Sequence, residues 1–147
     1  MNKIQPPTYF FLSLIISVIL HYTLPLINII EYPSNLIGFL FFVIGTVLNI
    51  WTDQLFKKVN TTVKPFEKPS TLILKGPFKI SRNPMYLGMA ILLIGIGFIL
   101  GSITSFAGFV LFIITMEIAF IPQEDMNLQE KFGDEYLAYK KRIRRWI

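Results

Sequence analysis

The sequence predicts an all-α integral membrane protein with about four transmembrane helices, the last two forming a helical hairpin, followed by a cytoplasmic amphipathic helical tail. Three observations carry this expectation. The 147 residues are 53% hydrophobic and only 16% charged, a balance outside that of an ordinary soluble domain. The charges leave three gaps without Asp, Glu, Lys or Arg, from Ile4 to Ile30, Tyr32 to Thr52 and Asn83 to Met116. Uncharged apolar runs of about 18 residues or more read as membrane spans. Finally, all 14 Lys and Arg fall in three places: Lys3, Lys57 to Arg82, and Lys131 onward.

The first span is expected from Thr8 to Ile30, with Pro25 kinking or ending the helix early, because proline removes a backbone donor and crowds the preceding turn. It is too long for a signal h-region and no small-x-small cleavage site follows, so it reads as a retained anchor. The polar turn Glu31-Tyr32-Pro33-Ser34 leads into a second span from Ser34 to Trp51. The run from Asn83 to Met116 reads as one helix or two. One helix of 34 residues (83 to 116) would be about 51 Å long, against a hydrocarbon core of about 30 Å. The positive-inside rule decides for two, Pro84 to Leu100 and Ile103 to Ile121, joined at Gly101-Ser102. With four spans, all three basic segments and both termini are cytoplasmic, and the expected location is a multi-pass place in a membrane. Gly97 and Gly101 form a GxxxG pair, which fits either packing within the hairpin or oligomerisation.

The chain therefore reads as a single domain, 1–147. It divides into two N-terminal spans (1–52), a cytoplasmic loop (53–83), the hairpin (84–121) and the tail (122–147). In the tail, Tyr136, Tyr139, Ile143 and Trp146 recur at spacings of three and four beside Lys140, Lys141, Arg142, Arg144 and Arg145. A basic amphipathic segment of this kind suits the anionic headgroups of a membrane surface. The net charge of +5 does not point to nucleic acid, because the basic residues stand where membrane topology wants them. Without cysteine and with one histidine, disulfides, thiolate ligands and a metal site are not expected. That histidine, His21, reads as an interfacial polar residue.

The chemistry is expected at the cytoplasmic ends. The Asp53–Asn83 loop is long for a connection between two spans and rich in bulky apolar residues, which fits an ordered, functional segment. Asn83 is a preferred N-cap and Pro84 a preferred first helical residue. The free amides there, with Arg82 nearby, suit a carboxylate or phosphate, although many helices simply begin this way. Past Ile121-Pro122, Glu124 and Asp125 stand together. They fit three readings: solvated acids, partners for Arg82 or Lys79, or contacts to a cationic ligand. Glu117, two turns earlier, is an acid at membrane depth, and fits a functional role or a pairing inside the bundle.

Taken together, several ordered blocks resemble the isoprenylcysteine carboxyl methyltransferase and phospholipid methyltransferase group of membrane enzymes. They are Thr71-Leu72-Ile73, Gly76-Pro77-Phe78, Ser81-Arg82-Asn83-Pro84-Met85-Tyr86-Leu87-Gly88, Glu124-Asp125, Leu128, Phe132-Gly133, Tyr136 and Tyr139. The resemblance runs from about Thr62 to Trp146 and fits the short prokaryotic members, which implies a prokaryotic inner membrane as the location. It implies S-adenosylmethionine as cofactor, contacted by Thr71, Leu72, Ile73, Phe78, Asn83, Pro84, Met85, Tyr86 and Glu124, with Glu124 and Tyr86 as candidate catalytic residues. It also implies a lipophilic small-molecule or lipid acceptor reached from the bilayer. Three positions depart from the eukaryotic pattern. Asn83 replaces a His, Phe78 replaces a Tyr, and Phe120 lies near the place of a substrate-binding Arg, which argues against a prenylcysteine carboxylate as acceptor. Two rival readings stand beside this one: an NADPH-dependent membrane reductase of the sterol reductase type, and a non-catalytic membrane scaffold.

Overall fold

A computed structural model describes residues 5–61 and 70–147, so Lys3 and residues 62–69 of the expected loop lie outside the described residues. Among the described residues five α-helices follow one another: α1 Pro6–Thr23, α2 Ile37–Lys58, α3 Pro84–Leu100, α4 Ala107–Thr115 and α5 Ile121–Arg142. Short 3-10 turns at Ser34–Leu36, Gly76–Lys79 and Ile103–Phe106 precede α2, α3 and α4, and one π turn, Met116–Phe120, joins α4 to α5. Pro6–Thr23, Ser34–Lys58 and the continuous Ile103–Arg142 stretch are long and apolar enough to cross a membrane. The fourth apolar helix, Pro84–Leu100, has 17 residues, about 25 Å at 1.5 Å per residue.

The first helix stops at Thr23, seven residues short of the expected Ile30. Pro25 cannot continue it, and the chain beyond runs extended against the α3–α4 turn. There Ile29 and Ile30 donate to Gly101 O at 2.9 and 3.1 Å, and Ile103 donates to Ile27 O at 2.9 Å. Gly101 closes α3 in the left-handed region, at φ 82°, where glycine carries no Cβ penalty. His21 joins this end, its Nδ1 2.9 Å from Ser102 Oγ.

Helices α2 and α3 lie antiparallel with backbones in close approach. A Cβ added to Gly45 would stand 2.7 Å from Gly88 O, so only a missing side chain permits this spacing. Gly97, expected in a GxxxG pair, faces the Phe106 ring instead, which assigns it to packing within the hairpin. The core joins α3, α4, the π turn and the start of α5 through Tyr86, Ala90, Leu93, Phe112, Met116, Phe120 and Ile121, with Tyr9, Phe10 and Leu14 of α1 against it.

The expected break after Ile121 is absent. In a regular helix the Pro122 ring would clash with the carbonyl four residues earlier. The π turn widens the helix immediately upstream, and α5 restarts with Pro122 among its first two residues, where no donor is needed. Fourth span and tail are thus one bent helix. Its second bend is at Gly133, with φ 50° and ψ −123°. Nor does the aromatic stripe of the tail face outward. Tyr136 and Tyr139 are buried and Trp146 packs on the core. Lys141, Arg142 and Arg144 remain exposed.

Candidate functional site

A cleft of about 310 Å³, its open mouth included, lies where the end of α2, the start of α3 and the start of α5 meet. Phe56, Phe78, Arg82, Asn83, Pro84, Met85, Tyr86 and Glu124 line it. Six of the nine residues expected at a cofactor are therefore gathered in one place: Phe78, Asn83, Pro84, Met85, Tyr86 and Glu124. Thr71, Leu72 and Ile73 do not line this cleft, although Ile73 is buried.

Aromatic and polar groups divide the cleft. Phe56 and Phe78 stand edge to face, centroids 5.6 Å apart, and Tyr139 fixes the Phe78 backbone by donating to its carbonyl at 2.7 Å. Burial pushes the Tyr139 phenol up to about 12, against the lowering effect of the nearby Arg82 charge, so it stays a neutral donor. Across the cleft, Tyr86 donates its phenol proton to Glu124 Oε1. Glu124 lies three residues past Ile121, where the expected fourth span ends. Burial pushes its carboxyl up to about 7, the Tyr86 hydrogen bond pulling it down and the Asp125 charge adding to the rise.

The start of α3 differs from expectation in one respect. The Asn83 side chain does not cap the helix; its amide donates to Arg145 O at 3.1 Å instead. The first-turn amides, which have no intrahelical acceptor, thus receive no cap from Asn83, and Pro84, Met85 and Tyr86 line the cleft. Beside them Arg82 is held by Asp125 at 3.0 Å and by the Tyr136 oxygen at 3.0 Å. Its buried Nε has no hydrogen-bond partner among the described residues.

Asp125 is no solvated acid. It is buried and takes Arg82, Lys140 at 2.9 Å and the Tyr136 hydroxyl. Desolvation alone would raise its carboxyl. The Lys140 and Tyr136 hydrogen bonds and the Arg82 and Lys140 charges outweigh that and hold it below the ordinary value. Of the partners open to these two acids in sequence, Arg82 goes to Asp125, while Glu124 faces the cleft. Glu117 takes the pairing role, bound by Arg145 and by Trp146 Nε1.

Sequence reasoning does not single out Phe56. It sits near the end of α2 after the first acid of the loop, and only its contact with Phe78, 22 residues on (78 − 56), marks it.

The sequence model of the phospholipid methyltransferase family matches residues 34–135. That stretch holds all eight cleft residues and more than half of the chain. The chain belongs to the phospholipid methyltransferase family. A protein of Haemophilus influenzae described as "Uncharacterized protein" is 36% identical over 63 residues, covering 43% of this chain and 100% of that relative. Family membership, with the apolar helices, points to methyltransferase activity in a membrane protein, and members of this family generally use S-adenosylmethionine. In this phospholipid methyltransferase family member, the cleft brings together donors, an acid and aromatic faces. The first-turn amides and Arg82 suit a carboxylate, Glu124 suits a cationic or hydroxyl group, and the aromatic faces suit a ring or a sulfonium.

Proposed function

We propose that this protein transfers a methyl group from S-adenosylmethionine to a lipophilic acceptor delivered through the membrane, at the end of the bundle where its Lys and Arg gather. The observation that carries the reading is one juxtaposition. The Tyr86–Glu124 pair, the uncapped start of α3 and the Phe56–Phe78 wall surround a single cleft inside the segment that matches the family.

The cofactor, when bound, supplies a methyl group activated on a positively charged sulfur. The protein's own work is to hold, orient and exclude water, for which correct positioning is worth roughly 7–11 kcal/mol of barrier. The Met85 amide and Arg82 hold the carboxylate end, with Asn83 and Pro84 shaping the wall beside it. Glu124, kept in place by the Tyr86 phenol, holds the cationic end, and Phe78 with Phe56 walls the cleft off from solvent. Phe120 is buried and stacks edge-on with Tyr9 at 5.4 Å, so it offers nothing to a carboxylate acceptor. A neutral or cationic acceptor fits this surface better.

The test is ligand-dependent thermal stability of the purified protein. S-adenosylmethionine and S-adenosylhomocysteine should each raise the melting temperature, and at a hundred times Kd the gain is about 2.7 kcal/mol. A shift with NADPH alone would favour a reductase. No shift with any of the three would favour a non-catalytic role.

A further inference from the structure

We propose that residues 143–146 form a latch that positions the ligand-facing start of α3, with Arg145 and Trp146 as positioning residues anchored on Glu117. The inference rests on the proposed function of the cleft.

Helix α5 ends at Arg142, and Ile143 is extended, with φ −115° and ψ 129°, turning the chain back over the bundle. Two successive carbonyls of this return then face one segment. Arg82 N donates to Arg144 O at 3.0 Å, and Ser81 Oγ and Asn83 Nδ2 donate to Arg145 O at 3.0 and 3.1 Å. Ser81 Oγ also accepts from Asn83 N at 3.0 Å. Three consecutive residues, of which Arg82 and Asn83 line the cleft, are thus held by a return that leaves the helix at Ile143, whose N still donates to Tyr139 O at 3.0 Å.

The side chains of the latch explain what holds it. Arg145 and Trp146 both bind Glu117, one to each carboxylate oxygen. Arg145 Nη2 is also 3.8 Å from Asp125 Oδ2, the acid that fixes Arg82. Glu117 sits in the π turn, a distortion frequent at functional sites, and an acid at that depth needs partners. Both of its oxygens are occupied by the latch. The line of contact therefore runs from the π turn through Arg145 and Trp146 to Ser81–Asn83, and from there to the cleft amides.

The full chain, purified in detergent, tests this with two readouts: S-adenosylhomocysteine titration by calorimetry, and hydrogen exchange of the amides from Arg82 to Leu87. Deleting residues 143–147 should speed that exchange and weaken binding at least about tenfold. Glu117→Gln and Arg145→Ala should each weaken binding several-fold, and the double variant should be no worse than the weaker single, because coupled residues act as one unit. Arg145→Lys should recover most of the loss. Unchanged exchange and affinity in the deletion would overturn the latch. If the deletion does not fold, additive losses in the double variant would overturn it. Wild-type protein that binds no S-adenosylhomocysteine would instead remove the proposed ligand, and with it the latch's role in binding, while the exchange readout still shows whether residues 143–146 hold the start of α3.

Discussion

The phenol of Tyr86 donates a hydrogen bond to Glu124 across 38 positions of sequence, tying the first turn of α3 to α5 at the wall of the cleft. A carboxylate placed there has one oxygen fixed by the protein and the other available to a ligand.

Glu124→Gln should weaken S-adenosylmethionine binding by roughly ten- to a hundredfold, since a charge-assisted buried contact is worth about 1.5–3 kcal/mol and each decade is 1.4 kcal/mol. Tyr86→Phe should cost less, because the carboxylate stays and only its orientation is loosened. Calorimetric titration separates the two. Wild-type affinity in Glu124→Gln would remove that residue from the site.

The same carboxyl makes binding pH-dependent. Its folded value of about 7 lies above its ordinary 4.5, so its contribution to stability is fully present below 4.5 and is lost as pH rises through 7. Binding of a cationic group runs the opposite way, because it requires the ionised form. Affinity should rise from about pH 6 to about pH 8, and Glu124→Gln should flatten that rise. A wild-type profile already flat over this range would exclude the contact.

Asp125→Asn should act on stability rather than on one ligand contact. It leaves the Arg82 guanidinium, 7% exposed, without its counter-charge, and breaking a buried pair costs about 3–5 kcal/mol. The melting temperature should fall clearly. The carboxyl is held below its ordinary 3.8, so its contribution is present above that value and is lost as pH falls through the lower folded one. Wild type should therefore lose stability on acidification in a component that Asp125→Asn lacks. Equal melting curves for the two proteins at neutral pH would contradict the network.

Topology is tested at Tyr32, which is 79% exposed and lies in the turn before α2, two residues past Ile30, which bonds to Gly101 in the α3–α4 turn. Tyr32→Cys should react with an impermeant thiol reagent from outside the cell. Ser102, in the turn itself, is fully buried and would be a silent reporter. Labelling of Tyr32→Cys only from the cytoplasmic side would reject the four-span orientation.

Charge-free length was enough to read the helices and their approximate borders, because these depend on local composition and on the membrane. The start of α3 at Pro84 was legible for the same reason, because helix starts are local, whereas Met85 and Tyr86 were marked only through family resemblance. Glu124 became legible only through family resemblance, and nothing local separates it from Asp125. The tertiary structure decides between them. One step of about 100° around α5 turns Glu124 to Tyr86 and the cleft, and Asp125 to Arg82, Lys140 and Tyr136. The course of the tail was likewise beyond the sequence. An aromatic stripe beside basic residues fits a lipid surface or a protein surface equally well, since both bury the same apolar area. Only the return of the chain at Ile143, with Glu117 waiting in the π turn, sends Arg145 and Trp146 onto the bundle.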